Sequence, residues 1–128
     1  MRALLDTHAF LWAAADDPRL SAHAREVIAD GTNEIVFSAA SAYEIVWMAE
    51  RGRLELPEPA ESYVLDRLDR LAFEGLAVNV RHAVRAAALP HHHADPWDRL
   101  LIAQARDEGI PLITVDSMIA RYEVEVLW

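Results

Sequence analysis

Short apolar runs alternate with longer segments of helical periodicity along the chain. The short runs predict strands at 3–5, 35–37, 77–80, 112–115 and 124–127. The longer segments predict helices at about 8–15, 21–30, 39–51, 59–74, 81–89 and 96–108, with a short helix after Asp116. No repeat, linker or composition break divides the sequence, so we predict a single domain over residues 1–128.

Alternating strands and helices of this kind predict a parallel sheet covered by helices on both faces. The first and fourth apolar runs fit strands that are buried on both sides. We therefore predict an α/β protein, a three-layer α/β/α sandwich around a mainly parallel sheet of about five strands. Such a sheet binds its ligand beyond the carboxyl ends of the strands, where the strand order reverses. Residues that directly follow the strands are the first candidates for chemistry.

The composition narrows that chemistry. The 128 residues carry 12 Lys+Arg against 21 Asp+Glu, a formal charge of -9, and 53% of them are hydrophobic. Cysteine is absent, which excludes disulfides, thiolate catalysis and thiolate metal sites. All the basic residues are arginine, which excludes a Schiff-base or P-loop lysine. No apolar stretch approaches the roughly 20 residues that span a bilayer, so we expect a cytoplasmic protein without a membrane contact.

Aspartates stand at the ends of the predicted strands. Asp6 follows the first strand and Asp116 follows the fourth, while Asp95 and Asp98 open the helix between the third and fourth. An aspartate in this position is also a favoured helix N-cap, so each one has a purely structural alternative. For Asp95, which precedes Pro96, capping is the preferred interpretation.

Glu44 is the only charged residue between positions 35 and 49, on a helix that is otherwise almost entirely apolar. A lone carboxylate on such a helix needs a partner, a raised pKa or a cation. Several carboxylates in one cleft repel one another unless a divalent ion neutralises them, and oxygen ligands without thiolates favour Mg²⁺ or Mn²⁺. Phosphodiester hydrolysis is the natural chemistry of such a site. Thr7 and Ser38 are candidate hydroxyl contacts to metal or substrate, and helix capping is the alternative for each.

The remaining polar signals are weaker. The histidine run at 91–93 is interpreted as a polar loop at the edge of the cleft, because three consecutive side chains do not easily converge on one ion. Arg51, Arg53 and Arg99 are candidate phosphate contacts. The tryptophans are expected to pack in the core or in an interface: Trp12, Trp47, Trp97 and Trp128. Nucleic-acid-binding domains are usually basic, so a charge of -9 implies weak local binding or basic residues from a partner.

Several motifs occur together in a recognisable order and spacing. They are LLDTH at 4–8, DDPRLS at 16–21, SAAS at 38–41 leading to Glu44, GRL at 52–54, LPHH at 89–92, DPWDRLLIAQA at 95–105 and TVD at 114–116. Together they resemble the PIN-domain family, specifically the VapC-type toxins of type II toxin–antitoxin systems.

The resemblance implies a PIN-like α/β/α sandwich and a Mg²⁺- or Mn²⁺-dependent endoribonuclease that acts on tRNA or rRNA. By position, the acidic site comprises Asp6, Glu44, Asp98 and Asp116, with Asp95 as an auxiliary residue. The resemblance also implies a homodimer and a small VapB-type antitoxin, which covers the acidic cleft and supplies contact with DNA.

Three positions depart from the family pattern. Tyr43 stands where Trp is expected, Trp97 where Phe is usual, and Met48 where many relatives carry Lys. The loss of a basic residue at Met48 is expected to weaken RNA binding or to alter substrate choice while leaving the metal site intact.

Other functions fit less well. A phospho-acceptor receiver domain has a similar size and aspartate-lined sheet, but it needs a lysine, and this sequence has none. A catalytically silent PIN-like interaction module and a metal-dependent DNA nuclease remain open, because both retain the same residues. The small size of the chain favours the RNA-cleaving toxin over the DNA nuclease.

Overall fold

Five parallel strands form the central sheet of the computed structural model, which describes residues 1–128. They are β1 (Arg2–Leu5), β2 (Glu34–Ser38), β3 (Glu74–Leu76), β4 (Leu112–Ile113) and β5 (Val126–Leu127). Their order is β3-β2-β1-β4-β5, and every neighbouring pair is parallel. β1 therefore lies at the centre of the sheet, which explains why its apolar residues are fully buried.

Helices cover both faces of the sheet. They are α1 (Thr7–Ala14), α2 (Ala22–Ala29), α3 (Ala39–Glu50), α4 (Ala60–Arg70), α5 (Val80–Ala88) and α6 (Pro96–Glu108), followed by a 3₁₀ helix (Ser117–Tyr122). None of them combines the length and the apolar character that crossing a membrane requires.

Two apolar clusters form the core, one on each side of the sheet. Leu5 belongs to the larger cluster, which α1 to α4 help to build, and Trp12 and Trp128 pack against it. Its neighbour Leu4 faces the smaller cluster, which includes residues of α6 and the 3₁₀ helix. Successive strand residues point to opposite faces, so β1 anchors both helical layers at once. The predicted three-layer α/β/α sandwich is confirmed.

The third strand differs from the prediction. It occupies Glu74–Leu76 instead of 77–80, and the helix predicted to reach residue 74 ends at Arg70. The apolar run at 77–80 contains the start of α5, because Asn79 forms a capping box with His82. The Asn79 side chain accepts a bond from the His82 N–H at 2.9 Å, and His82 Nδ1 accepts one from the Asn79 N–H at 3.2 Å. This reciprocal pair makes Val80 the first helical residue.

Asn79→Ala is expected to lower the free energy of unfolding by ~1 kcal/mol, because the His82 N–H at the start of α5 loses its side-chain acceptor. Urea unfolding followed by circular dichroism measures this change. Asn79→Ser retains a side-chain acceptor and should keep most of the stability. Equal losses in the two variants would contradict the role of the cap.

Candidate active site

The strand order places several polar residues at one edge of the sheet. From β1 the chain continues to β2 on one side, and it later returns to β4 on the other, so the strand order reverses at β1. Asp6 directly follows β1, Ser38 ends β2, and Thr114 follows β4. Since all these strands are parallel, their carboxyl ends meet at the same edge, and the crevice beyond them is the expected ligand site.

Asp6 is both a helix cap and a member of this site. It is 7% exposed, and its Oδ1 accepts a bond of 2.7 Å from the Ala9 N–H as the N-cap of α1. Burial raises the pKa of the Asp6 carboxyl, and the negative charge of Asp116 adds to that increase. The capping alternative is therefore correct without removing Asp6 from the acidic crevice.

Glu44 projects from the middle of α3 and has a specific partner. The Thr7 hydroxyl donates a bond of 2.6 Å to Glu44 Oε1, and the same hydroxyl lies 3.0 Å from Ser41 Oγ. Burial raises the pKa of Glu44, and the charges of Asp95 and Asp6 raise it further. Thr7 is itself buried, so it acts as a positioning residue that connects α1 to the carboxylate on α3.

Asp95 and Asp98 lie at the start of α6. Asp95 is the N-cap, accepting bonds from the N–H groups of Trp97 at 2.9 Å and Asp98 at 3.3 Å, which confirms the capping interpretation. Asp98 is half-buried, and burial together with neighbouring charges raises its pKa to about 7. The neighbours that contribute are Asp95, Asp6, Glu44 and Asp116.

Asp116 completes the group of carboxylates. It caps the 3₁₀ helix, accepting a bond of 2.9 Å from the Met118 N–H, and its own N–H donates to Thr114 Oγ1 at 3.1 Å. One potential ligand atom from each of Asp98, Asp116 and His93 lies within 4.8 Å of the others. The structure thus brings all four predicted acidic residues into one electrostatic neighbourhood, which we call the acidic cluster: Asp6, Glu44, Asp98 and Asp116.

The acidic cluster suits a hard divalent cation. Burial raises the pKa values of Asp6, Glu44 and Asp98, and neighbouring carboxylates add to each increase. The donors are carboxylate oxygens, the ligands that Mg²⁺ and Mn²⁺ prefer. An ion bound between them would offset the repulsion that the protein alone leaves uncompensated.

His93 is the residue that sequence reasoning missed. The histidine run was expected only to border the cleft, but the structure brings one of its imidazoles to 3.5 Å from Asp98 Oδ2. The Tyr122 hydroxyl, 29 residues away, holds this ring at Nδ1 with a separation of 2.9 Å. No local sequence pattern connects the two residues, so the sequence carried no signal that distinguished His93 from its neighbours.

The structure gives Arg99 and Ser38 structural roles. Arg99 is 7% exposed, and its guanidinium donates to the carbonyl oxygens of Leu89, Pro90, Ala87 and His93 at 2.7, 2.9, 3.2 and 3.4 Å. These bonds to the backbone oppose the predicted contact of Arg99 with substrate phosphate, because they occupy both terminal nitrogens of its guanidinium. Ser38 is fully buried and caps α3 by accepting a bond from the Ala40 N–H at 3.0 Å.

Aromatic and arginine side chains form a patch on α3, the turn after it and α6, in which Tyr43 and Trp97 directly precede Glu44 and Asp98 in the sequence. Tyr43 is 62% exposed. The Trp97 ring lies 5.1 Å from the Tyr43 ring and 6.3 Å from the Trp47 ring. The guanidinium groups of Arg51 and Arg53 lie 4.0 and 5.4 Å from the Trp47 ring. Neither tryptophan belongs to the core clusters. This aromatic–arginine patch is therefore a surface feature.

Comparisons with known proteins agree with this architecture. Residues 3–125 match the family model described as PIN domain. The chain is 35% identical over 114 residues to ribonuclease VapC22 of Mycobacterium tuberculosis, covering 88% of this chain and 85% of that protein. The fold is similar to a crystal structure of VapBC2 from Rickettsia felis bound to a DNA fragment from its promoter, with a TM-score of 0.74 and 18% identity. The match covers 99% of this chain and 98% of that chain. It is also similar to a toxin–antitoxin complex from Klebsiella pneumoniae, with a TM-score of 0.70 and 18% identity, over 98% of this chain and 96% of that chain.

The raised pKa of Asp98 predicts a pH-dependent stability in metal-free protein. Between the ordinary value of 3.8 and about 7, the folded chain holds a proton that the unfolded chain releases. The free energy of unfolding therefore falls as the pH rises through this window. In EDTA, Asp98→Asn should raise that free energy at both pH values, and by roughly 2–3 kcal/mol more at pH 8 than at pH 5.

Urea unfolding at the two pH values measures this difference. Asp69→Asn, on the exposed surface of α4, is the matched control and should behave alike at both. The same effect of Asp98→Asn at pH 5 and pH 8 would contradict the repulsion inferred for the acidic cluster.

Arg99→Met is expected to lower the free energy of unfolding by ~3 kcal/mol, because four backbone carbonyl groups lose the buried guanidinium that binds them. Arg81→Met serves as the control, since that side chain is 65% exposed. Chemical denaturation compares the two variants. Similar stability would show that the Arg99 contacts do not hold this part of the fold together.

Proposed function

The chain belongs to the PIN-domain family, and we propose that it is a metal-dependent endoribonuclease toxin of a type II toxin–antitoxin pair. The observation that carries the proposal is the convergence of Asp6, Glu44, Asp98 and Asp116, where burial and the neighbouring negative charges raise the pKa of Asp98 to about 7. Such an arrangement is costly for a folded protein unless a ligand uses it. The relative named as a ribonuclease supports RNA as the substrate class.

We propose that the acidic cluster holds Mg²⁺ or Mn²⁺, with Asp95 contributing negative charge from the exposed rim. A divalent ion in such a site polarises a phosphate oxygen and makes water more acidic. These are the requirements of phosphodiester hydrolysis by a protein that has no lysine and no cysteine.

The protein itself fixes the orientation of the carboxylates. Oδ1 of Asp6 is held by the Ala9 N–H, Oε1 of Glu44 by the Thr7 hydroxyl, and Oδ1 of Asp116 by the Met118 N–H. Because a carboxylate group is planar, a hydrogen bond to one of its oxygens also restricts the direction of the other oxygen. A constellation held in this way loses little entropy when it binds an ion.

RNA must approach a strongly acidic surface, since the chain carries a formal charge of -9. We propose that Arg51 and Arg53 contact the RNA backbone, because they lie on the exposed aromatic–arginine patch beside the acidic cluster. Tyr43 presents an exposed ring on the same patch, suited to stacking on a base. A homodimer would supply a second set of the same arginines. tRNA and rRNA are the proposed substrates.

A small VapB-type antitoxin is the proposed protein partner. Two solved structures that share this fold are VapBC or toxin–antitoxin complexes, which supports such a pairing. The antitoxin would cover the acidic cluster with a basic or polar tail and exclude RNA. It would also provide the contact with DNA, because the net charge of this chain opposes a direct one.

Purified protein is expected to cut total cellular RNA into discrete fragments with Mn²⁺ or Mg²⁺ and to stop in EDTA. Asp6→Asn and Asp98→Asn should each reduce cleavage by ~10³-fold, since each removes a charged ligand worth several kcal/mol to the transition state. Circular dichroism checks that both variants fold, and Asp69→Asn should retain full activity.

Full activity in both site variants would overturn the assignment of the acidic cluster. Cleavage of DNA but not RNA in the same assay would identify a DNA nuclease. No cleavage by folded, metal-loaded wild-type protein would favour a silent interaction module.

A further inference from the structure

The nitrogen of one histidine is buried in the acidic cluster without a partner. His93 lies in the loop between α5 and α6, and its side chain is 19% exposed. Its Nε2 atom is completely buried and makes no hydrogen bond. A buried polar nitrogen without a partner costs free energy, and native proteins rarely leave one in place.

The surroundings of Nε2 are those of an ion site. Asp98 Oδ2 lies 3.5 Å from it, and ligand atoms of His93, Asp98 and Asp116 all lie within 4.8 Å of one another. Ligands at ~2.1 Å from a common ion are ~3 to 4.2 Å apart, depending on the angle between them. The three side chains are thus within a small adjustment of sharing one ion.

Tyr122 determines which ring nitrogen of His93 carries the proton. Tyr122 is 1% exposed, and its hydroxyl oxygen accepts a bond of 2.9 Å from the His93 backbone N–H. The same oxygen lies 2.9 Å from Nδ1 and 3.4 Å from the His93 carbonyl oxygen. A phenol has one proton to donate and can accept two bonds.

Only one tautomer satisfies all these groups. If Nδ1–H donates to Tyr122, the phenol accepts two bonds and points its own proton at the His93 carbonyl. Nε2 then presents a bare lone pair to Asp98. In the other tautomer the carbonyl loses its donor, and Nε2–H meets Asp98 Oδ2 at 3.5 Å, too far for a good hydrogen bond.

We propose that His93 is a metal ligand through Nε2, beside Asp98 and Asp116, with Tyr122 as the residue that orients its ring. The inference rests on the metal-dependent site proposed above and adds a nitrogen to its oxygen ligands. A lone pair and a carboxylate oxygen that face each other repel unless a cation lies between them. The hydrogen bond at Nδ1 is the usual device that fixes a ligating histidine.

A nitrogen ligand changes the choice of metal. Mg²⁺ takes almost exclusively oxygen ligands, whereas transition-metal ions accept imidazole readily. His93 therefore biases the site towards Mn²⁺ and against Mg²⁺. His91, two positions before His93, is exposed, which makes it a matched control from the same loop.

Pulsed electron paramagnetic resonance of Mn²⁺ added to the metal-free full chain tests the proposal directly. The wild-type protein and His91→Ala should show nitrogen hyperfine coupling from a bound imidazole, and His93→Ala should lose it. Calorimetry should show Mn²⁺ affinity reduced by ~10-fold or more in His93→Ala, with Mg²⁺ affinity changed much less. His93→Gln fills more of the vacated space and serves if the alanine variant does not fold.

Bound Mn²⁺ without nitrogen coupling in the wild type, and with the same affinity in the His93 variants, would overturn the proposal while leaving the acidic metal site intact. Wild-type protein that binds no Mn²⁺ would contradict both this inference and the metal-dependent function. Nitrogen coupling without cleavage of RNA would support the ligand and count against the nuclease.

Discussion

Repulsion between carboxylates is the constraint on which this structure depends. The parallel strands bring their carboxyl ends together at β1, and α3 and α6 add their own acidic residues to the same crevice. Burial raises the pKa values of Asp6, Glu44 and Asp98, and the negative charges of neighbouring carboxylates raise them further. The apolar core on both faces of the sheet must supply the stability that this arrangement costs. A cation bound at the crevice, as proposed above, would recover part of this cost.

Most of the fold and the acidic part of the site could be predicted from the sequence, because each rests on local patterns. Asp6 directly follows an apolar strand, and Glu44 is isolated on an apolar helix, so position alone indicated a shared edge. The prediction of a strand at 77–80 was wrong, because strand-forming residues and a helix cap occur in the same segment. The run at 77–80 has strand-forming residues, but the Asn79 cap with His82 determines the backbone there.

The remaining errors come from contacts between residues that are distant along the chain. Arg99 lies in the first turns of α6, and only the folded loop reveals that carbonyl groups surround its guanidinium. His93 was indistinguishable from the adjacent histidines until Tyr122 placed its ring. Such roles arise from tertiary packing, which neither periodicity nor motif spacing describes.

The position of β4 and the 3₁₀ helix late in the chain has a consequence for biosynthesis. Asp6 and Glu44 emerge from the ribosome early, but Asp116 and Tyr122 come from the last segments that complete the sheet and its cover. β4 is also the neighbour that closes the open side of β1. The nascent chain therefore has neither its complete acidic cluster nor its finished sheet until β5 has been synthesised. Until β4 has been synthesised, the edge of the sheet on that side of β1 remains open to pairing with another strand.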